Sequence, residues 1–138
     1  MRLALGHLSR WSDLTLFGLR ALTGAFLMHE TWDNVRSSAR MNEFVQFLDQ
    51  FGFPLPWLLA PFSVAVQFGC GALLVLGLLT RWAGLLIAAN FAVAVAMVHW
   101  NEPFRGWWPA IVLVFLGLHF AASGSGKFGV DRFFGRGR

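Results

Sequence analysis

A few polar and ionisable residues interrupt the long apolar runs of this chain, and they are the candidates for binding or chemistry. The set comprises Arg20, His29, Glu30, Gln67, Asn90 and His99. Arg20 lies near the middle of its run, and a central arginine costs about 2.5–3.5 kcal/mol in a membrane helix. We therefore expect it to be buried against Gln67 or Asn90, whose amides lie at a similar depth. Three roles fit it: a structural clamp between helices, an anion site for a substrate or cofactor, and a contact with another subunit or a lipid headgroup.

The two histidines of this set end two different apolar runs at one depth, and Glu30 directly follows His29. Imidazoles on two helices can jointly bind a quinone carbonyl or ligate a metal. Because only the nitrogens of His29 and His99 converge, we expect no metal, and haem is disfavoured. Hydrogen-bonded structural histidines are the simplest interpretation, and contact with a quinone or substrate is the alternative. We predict that any ligand or redox chemistry lies in this cluster.

Four apolar runs have the length to place these residues inside a membrane. They cover about residues 11–28, 57–79, 82–100 and 107–122. Since about 20 helical residues cross the hydrocarbon core, we predict an all-α integral membrane four-helix bundle, with residues 1–138 forming one transmembrane domain. All seven tryptophans lie at or near the ends of these runs, which is the headgroup level that indole prefers.

The connections between the runs carry their own patterns. In the first long connection, apolar residues recur at helical spacing from Met41 to Phe51, which predicts a short amphipathic helix on the membrane surface or over the bundle. Thr80 and Arg81 are expected to form a tight turn between the second and third runs.

Stripes of small residues let helices approach closely in lipid, and two such stripes predict helix contacts. The first consists of Gly84, Ala88, Ala92 and Ala96 along the third run, and the second of Ala65 and Gly69 on the second run.

The composition selects lipid as the main solvent of this protein. Only 13% of its 138 residues are charged and 57% are hydrophobic, whereas a soluble domain is about 25% charged. The formal net charge of +4 does not indicate nucleic-acid binding, because the basic residues lie at the ends of apolar runs. The lipid bilayer is therefore the first partner.

The basic residues also predict an orientation. Seven of them fall on the side that carries both termini: Arg2, Arg10, Arg81, Lys127, Arg132, Arg136 and Arg138. Three fall on the other side: Arg36, Arg40 and Arg105. By the positive-inside rule, we expect a multi-pass protein of the bacterial inner membrane with both termini in the cytoplasm.

Several of these features together resemble the DoxX family of small four-helix membrane proteins. They are Arg20 followed by His29, the Gly-Phe-Pro-x-Pro segment of residues 52–56, the run 69–81, His99, the Gly-Ser-Gly of residues 124–126 and Asp131. Gln67 stands where such proteins often carry a glutamate. The resemblance implies a four-helix membrane fold and association with oxidoreductase systems, including thiosulfate:quinone oxidoreductase and membrane-anchored redox complexes.

Two functions follow as hypotheses. The first is a non-catalytic accessory or structural subunit that docks beside a larger redox or energy-converting membrane complex, or assembles as a homo-oligomer. The second is a quinone-linked oxidoreductase subunit of the thiosulfate:quinone type, with its site near His29 and His99 or near Arg20. We expect no cofactor for the first, and a quinone is the ligand for the second. A small-solute carrier is a third idea.

Overall fold

A computed structural model describes residues 4–135, and these residues form helices joined by short connections. The helices are α1 (Ser12–Arg36), α2 (Ser38–Gln50), α3 (Pro56–Leu76), α4 (Thr80–Ala94), α5 (Phe104–Ser123) and α6 (Asp131–Phe134). A 3-10 turn, Gly6–Trp11, precedes α1, and a π-helical turn, Val95–His99, continues α4. Arg2, Arg136 and Arg138, three of the basic residues used for the orientation, lie outside the described residues.

Three of the helical segments are long and apolar enough to cross a membrane. They are Pro56–Leu76, Thr80–His99 and Phe104–Ser123. Their exposed surfaces consist largely of apolar and aromatic side chains, such as Phe62, Trp82 and Phe115. The first predicted span is not among the three, although its residues 12–28 lie in α1, which is the longest helix and has 25 residues.

The ends of the helices differ from the predicted ends where left-handed residues stop a helix. Gly77 caps α3 at φ 69°, and Leu79 precedes α4 at φ 50°. A glycine after the last helical residue is the usual way to end a helix. The turn is therefore formed by residues 77–79, and Thr80 and Arg81 belong to α4, so the predicted turn was placed about two residues too late.

Two glycine crossings hold the long helices together in pairs. Gly24 of α1 faces Gly71 of α3, and Gly84 of α4 faces Gly117 of α5. At each crossing, a methyl group on either glycine would overlap the main-chain carbonyl oxygen of the other. Such close backbone contact is the main source of packing attraction between helices in lipid. The α1–α3 and α4–α5 interfaces are accordingly the most extensive in the described chain, and α3 packs less extensively on α4.

The predicted small-residue stripes form only part of these contacts. Gly84 and Ala88 are buried against α5, as expected. Ala92 is exposed, and so is Gly69, which has open space around it. The predicted contact through Ala65 and Gly69 is therefore wrong, because the face of α3 that meets α1 carries Gly71 instead.

Candidate functional site

A cavity of about 700 Å³ lies between α3 and α4, with α2 forming one side of it. We call it the α3–α4 cavity. Its lining comprises Phe44, Phe47, Leu48, Phe53, Pro54, Leu59, Phe62, Ser63, Val66, Gln67, Leu86, Ala89, Asn90, Phe91, Val93, Ala94, Met97, Val98 and His99. Three of the six candidates from the sequence, Gln67, Asn90 and His99, therefore share one site.

The cavity exists because α3 and α4 each use their glycine face for a different partner. A short turn at residues 77–79 connects α3 to α4. The two helices pack closely on other partners, α3 on α1 at Gly71 and α4 on α5 at Gly84. Away from the turn, the main chains of α3 and α4 are not in close contact, and side chains line the space between them. Leu86, Val93 and Met97 line this space and are nonetheless exposed. The cavity is thus open along its α4 side.

Three neutral polar side chains tie α3 to α4 across the cavity. The hydroxyl of Ser63 donates to Oδ1 of Asn90 at 2.8 Å. The amide nitrogen of Gln67 donates to the same hydroxyl oxygen at 3.1 Å. We call these residues the amide tie. Asn90 lies ten residues after Thr80 and nine before His99, which puts the amide tie roughly 13 Å along α4 from His99.

His99 occupies the other end of the cavity wall and is paired with a carboxylate. Its Nδ1 lies 2.8 Å from Oε2 of Glu102. An ionised carboxylate only accepts hydrogen bonds, so a neutral imidazole paired with it carries its proton on Nδ1 and leaves Nε2 as an acceptor. The imidazole side chain is 27% exposed and the Glu102 side chain 41%. The pair therefore links the cavity to the surface of the protein.

The structure does not bring His29 or Glu30 to this site. His29 is 87% exposed at its side chain, and its Nδ1 lies 3.7 Å from Oε1 of Glu30. Its helix, α1, packs against α2 and α3, whereas the π-helical turn of His99 packs against α4 and α5. The predicted joint histidine site is not formed. In residues 4–135, no three His, Cys, Asp or Glu side chains converge to hold a metal ion.

Arg20 is completely buried, as expected, but its partners are not the predicted amides. Its Nη1 donates to the carbonyl oxygen of Leu74 at 2.7 Å, and its Nη2 donates to that of Phe128 at 3.1 Å. Carbonyls in the last turn of a helix have no partner within the helix and attract cations. Arg20 is therefore held at the end of α3, far along that helix from Gln67.

Asp131 lies in the same region. We call the region formed by Arg20, Asp131 and the ends of α3 and α4 that they contact the tail junction. The Asp131 carboxylate accepts hydrogen bonds from the main-chain nitrogens of Leu79 and Thr80, at 2.7 and 2.8 Å, where α4 begins. Arg20 and Asp131 thus occupy opposite ends of two successive helices, each at the end that favours its charge. Nε of Arg20 and Oγ1 of Thr80 are buried there without a hydrogen-bond partner among the described residues.

Arg81 fastens the same region to α5. Its Nη1 donates to the carbonyl oxygens of Ala121 and Ala122, at 2.8 and 2.6 Å. The segment after α5 then crosses to α1, where Lys127 lies 3.6 Å from Asp13. Arg20, Asp131 and Arg81 thus connect the ends of α3, α4 and α5 to the segment that follows α5.

The sequence interpretation missed Ser63 and did not pair Glu102 with His99. The signal for Ser63 was available, because Ser63 and Gln67 are four residues apart and lie on one face of an apolar helix. Glu102 lies three residues after His99 and beyond the end of the predicted span. Hydropathy does not predict the conformation of the chain between them, on which the pairing depends.

The arrangement can hold an apolar molecule that carries a small number of hydrogen-bonding groups. Its walls are aromatic and aliphatic, its polar groups are few, and its volume falls in the range of small-molecule sites. The amide tie is neutral, and the one ionisable lining side chain of residues 4–135 is that of His99. A neutral amphiphile fits these walls better than an ion does.

Comparison with protein families places the chain among known membrane proteins. The model of the DoxX family matches residues 15–100, which include α1 from Thr15 onward, α2 to α4, the amide tie and His99. Comparison with curated proteins and with solved structures gives no match. The family and the three apolar helices indicate a membrane protein. Because the match covers more than half of its length, this chain belongs to the DoxX family.

Proposed function

We propose that this DoxX-family protein is a membrane subunit that holds a quinone-class lipophile in the α3–α4 cavity on behalf of a larger redox complex. One observation carries the proposal: an apolar cavity of about 700 Å³ whose wall combines the amide tie with His99. A quinone is a flat apolar ring with hydrogen-bonding oxygens and a long hydrocarbon tail, and each part has a counterpart in the lining.

The open α4 side supports the entry of such a molecule. Exposed Leu86, Val93 and Met97 would meet acyl chains if α4 spans the bilayer. A lipophile could then move sideways from the lipid into the cavity without crossing water. The phenyl rings of Phe44 and Phe47 on α2 would cover the ligand from a second side.

The proposal includes a topology of four spans. α1 is long enough to cross, since 25 residues extend roughly 37 Å, and the buried guanidinium of Arg20 is hydrogen-bonded to main-chain carbonyls within the protein. α2 then lies at the membrane surface, and both termini are cytoplasmic in the bacterial inner membrane. A cysteine introduced at Asp49 should react with an impermeant thiol reagent from outside, and one at Arg132 should not.

The proposed partner is a second membrane protein that supplies or receives electrons. The resemblance of DoxX proteins to components of redox systems supports this assignment. The subunit would bind and orient the lipophile, and the partner would exchange electrons with it. Gentle purification should therefore recover the protein with other membrane subunits.

A pair of matched variants tests the cavity. Ala89 lines the cavity and is exposed, so Ala89→Phe fills the space without displacing the core. Ala92 lies on the same helix, is also exposed and does not line the cavity, so Ala92→Phe is the control. Lipids extracted from each purified protein are compared by mass spectrometry. We expect a quinone in stoichiometric amount with the wild type and Ala92→Phe, and its loss with Ala89→Phe.

Other occupants of the cavity would give distinct results. If only phospholipid or fatty acid depends on Ala89, the cavity is a lipid groove and the quinone assignment is wrong. If Ala89→Phe instead releases a protein subunit, the cavity is a docking groove for a partner helix. If no extracted molecule differs between the two variants, the proposed ligand site is wrong.

A further inference from the structure

We infer that His99 and Glu102 form a proton-accepting pair that binds and ionises an acidic hydroxyl group of the ligand. The inference rests on the proposed function, because it takes the α3–α4 cavity as the ligand site. It narrows the ligand to molecules that carry a phenolic hydroxyl, such as hydroquinones or phenols with an apolar tail. On this inference, His99 and not the amide tie is the contact that distinguishes a ligand with a hydroxyl group from a ligand with a carbonyl group in its place.

The geometry of the pair fits this task. His99 lies on the cavity wall, and its Nδ1 is bound to Oε2 of Glu102 at 2.8 Å. This bond fixes the tautomer and leaves Nε2 as an acceptor. Glu102 is exposed, so the carboxylate can exchange a proton with water while the imidazole faces the cavity.

The π-helical turn of Val95–His99 is a second observation that points to the same place. A π turn adds a residue to the turn and changes the direction of the side chains that follow, and such turns are frequent at functional sites. In an uninterrupted α-helix, His99 would continue the stripe of Ala88 and Ala92, and Ala88 packs against α5. The π turn instead places His99 with Met97 and Val98 on the cavity wall.

The step is a proton transfer without electron transfer. The O–H bond of the phenolic group breaks, an N–H bond forms at Nε2 of His99, and the electron pair stays on the phenolate oxygen. The resulting imidazolium is stabilised by the adjacent Glu102 carboxylate, as in other histidine–carboxylate pairs. The phenolate in turn remains beside a positive ring.

Other charged groups around His99 are few in the described chain. α5 carries Arg105 in its first turn, where it lines a separate small cavity with Phe104 and Trp108. α2 carries Arg40, Glu43 and Asp49, which are exposed and outside the lining. α3 contributes no titratable side chain to the lining, and α4 contributes His99 alone through its π turn. The titration of a bound phenol should therefore respond mainly to His99 and Glu102.

The test uses a nitrophenol with an alkyl tail, whose phenolate absorbs visible light. The probe is titrated with pH in the presence of detergent-purified wild type, His99→Gln, Glu102→Gln and His29→Gln. Ala89→Phe provides the background from probe dissolved in the micelle. His29 is the matched control, because it also has a carboxylate neighbour, Glu30, but lies outside the cavity.

We expect the bound probe to ionise about 1 pH unit lower with the wild type and His29→Gln than with His99→Gln, in line with the effect of a nearby opposite charge. Glu102→Gln should give a smaller lowering than the wild type. Equal midpoints for wild type and Glu102→Gln, or for wild type and His99→Gln with probe still bound, would overturn the inference. In that event, a quinone without a hydroxyl group that still binds in an Ala89-dependent way would leave the proposed function intact.

Discussion

The hydroxyl of Ser63 donates to Oδ1 of Asn90 at 2.8 Å and so connects α3 to α4 across a cavity that otherwise separates them. The side-chain nitrogen of Gln67, one turn further along α3, donates to the Ser63 hydroxyl oxygen. A hydrogen bond between helices contributes about 0.6–2 kcal/mol in a membrane protein. The amide tie therefore sets the separation of the cavity walls without filling the space between them.

Removal of the serine hydroxyl should loosen these walls. Ser63→Ala leaves Asn90 Oδ1 and Gln67 Nε2 without their shared partner, and we expect it to lower the free energy of unfolding by about 0.5–2 kcal/mol. Ser123→Ala is the control, because its hydroxyl is bonded only to the adjacent Gly124 carbonyl. Thermal unfolding in detergent measures both. Equal stability of Ser63→Ala and Ser123→Ala would show that the amide tie contributes little.

The glycine crossings predict that the effect of a glycine-to-alanine substitution on stability depends strongly on its position along α1. Gly24→Ala should destabilise the protein by about 1–3 kcal/mol, because the new methyl group meets the main chain of α3 at Gly71. Gly18→Ala, on the same helix, has open space and should be neutral or slightly stabilising, since alanine favours a helix. Unfolding curves for the two variants compare them directly. A destabilising Gly18→Ala with a neutral Gly24→Ala would contradict the α1–α3 packing.

Asp131 should stabilise the start of α4. Asp131→Ala removes the acceptor for the main-chain nitrogens of Leu79 and Thr80, and loss of such a cap costs about 0.5–2 kcal/mol. Asp33→Ala removes only an exposed contact with Arg36, so we expect almost no change from it. Hydrogen exchange of the amides at the start of α4 provides a local measurement. Unchanged protection there in Asp131→Ala would exclude the capping role.

Arg20 should hold the segment after α5 in place. Arg20→Met removes the hydrogen bond to the Phe128 carbonyl, and we expect trypsin to cleave after Lys127 several-fold faster than in the wild type, since local opening becomes easier. Arg40→Met is the control, because Arg40 pairs with Glu43 on the exposed surface of α2. Peptide mass spectrometry follows the cleavage. The same rate in the wild type and both variants would contradict the tail junction.

The sequence indicates which polar side chains are buried or line a cavity better than it indicates the main-chain groups that they contact. Gln67, Asn90 and His99 stood out as polar residues in apolar runs, and they line one cavity. Arg20 stood out for the same reason, but it binds carbonyls of Leu74 and Phe128, and no pattern of side chains identifies a carbonyl. The only local sign was Gly77, which ends α3 three residues after Leu74.

The position of His99 depends on a departure from regular helical geometry. An α-helical projection places it with Ala88 and Ala92, and the π-helical turn moves it to the cavity wall. The residues of this turn, from Val95 to His99, include no proline or glycine. Helical periodicity therefore does not predict the face on which His99 lies.

Photolabelling tests the central claim, that a quinone-class lipophile occupies the α3–α4 cavity, most directly. A photoreactive quinone analogue is irradiated with protein in native-like lipid, and the labelled peptides are identified by mass spectrometry. We predict labelling within residues 59–67 of α3 and within residues 86–99 of α4 and its π-helical turn, the loss of this labelling in Ala89→Phe and its persistence in Ala92→Phe. Labelling spread evenly over the exposed faces of α1 and α5, or unaffected by Ala89→Phe, would contradict the account.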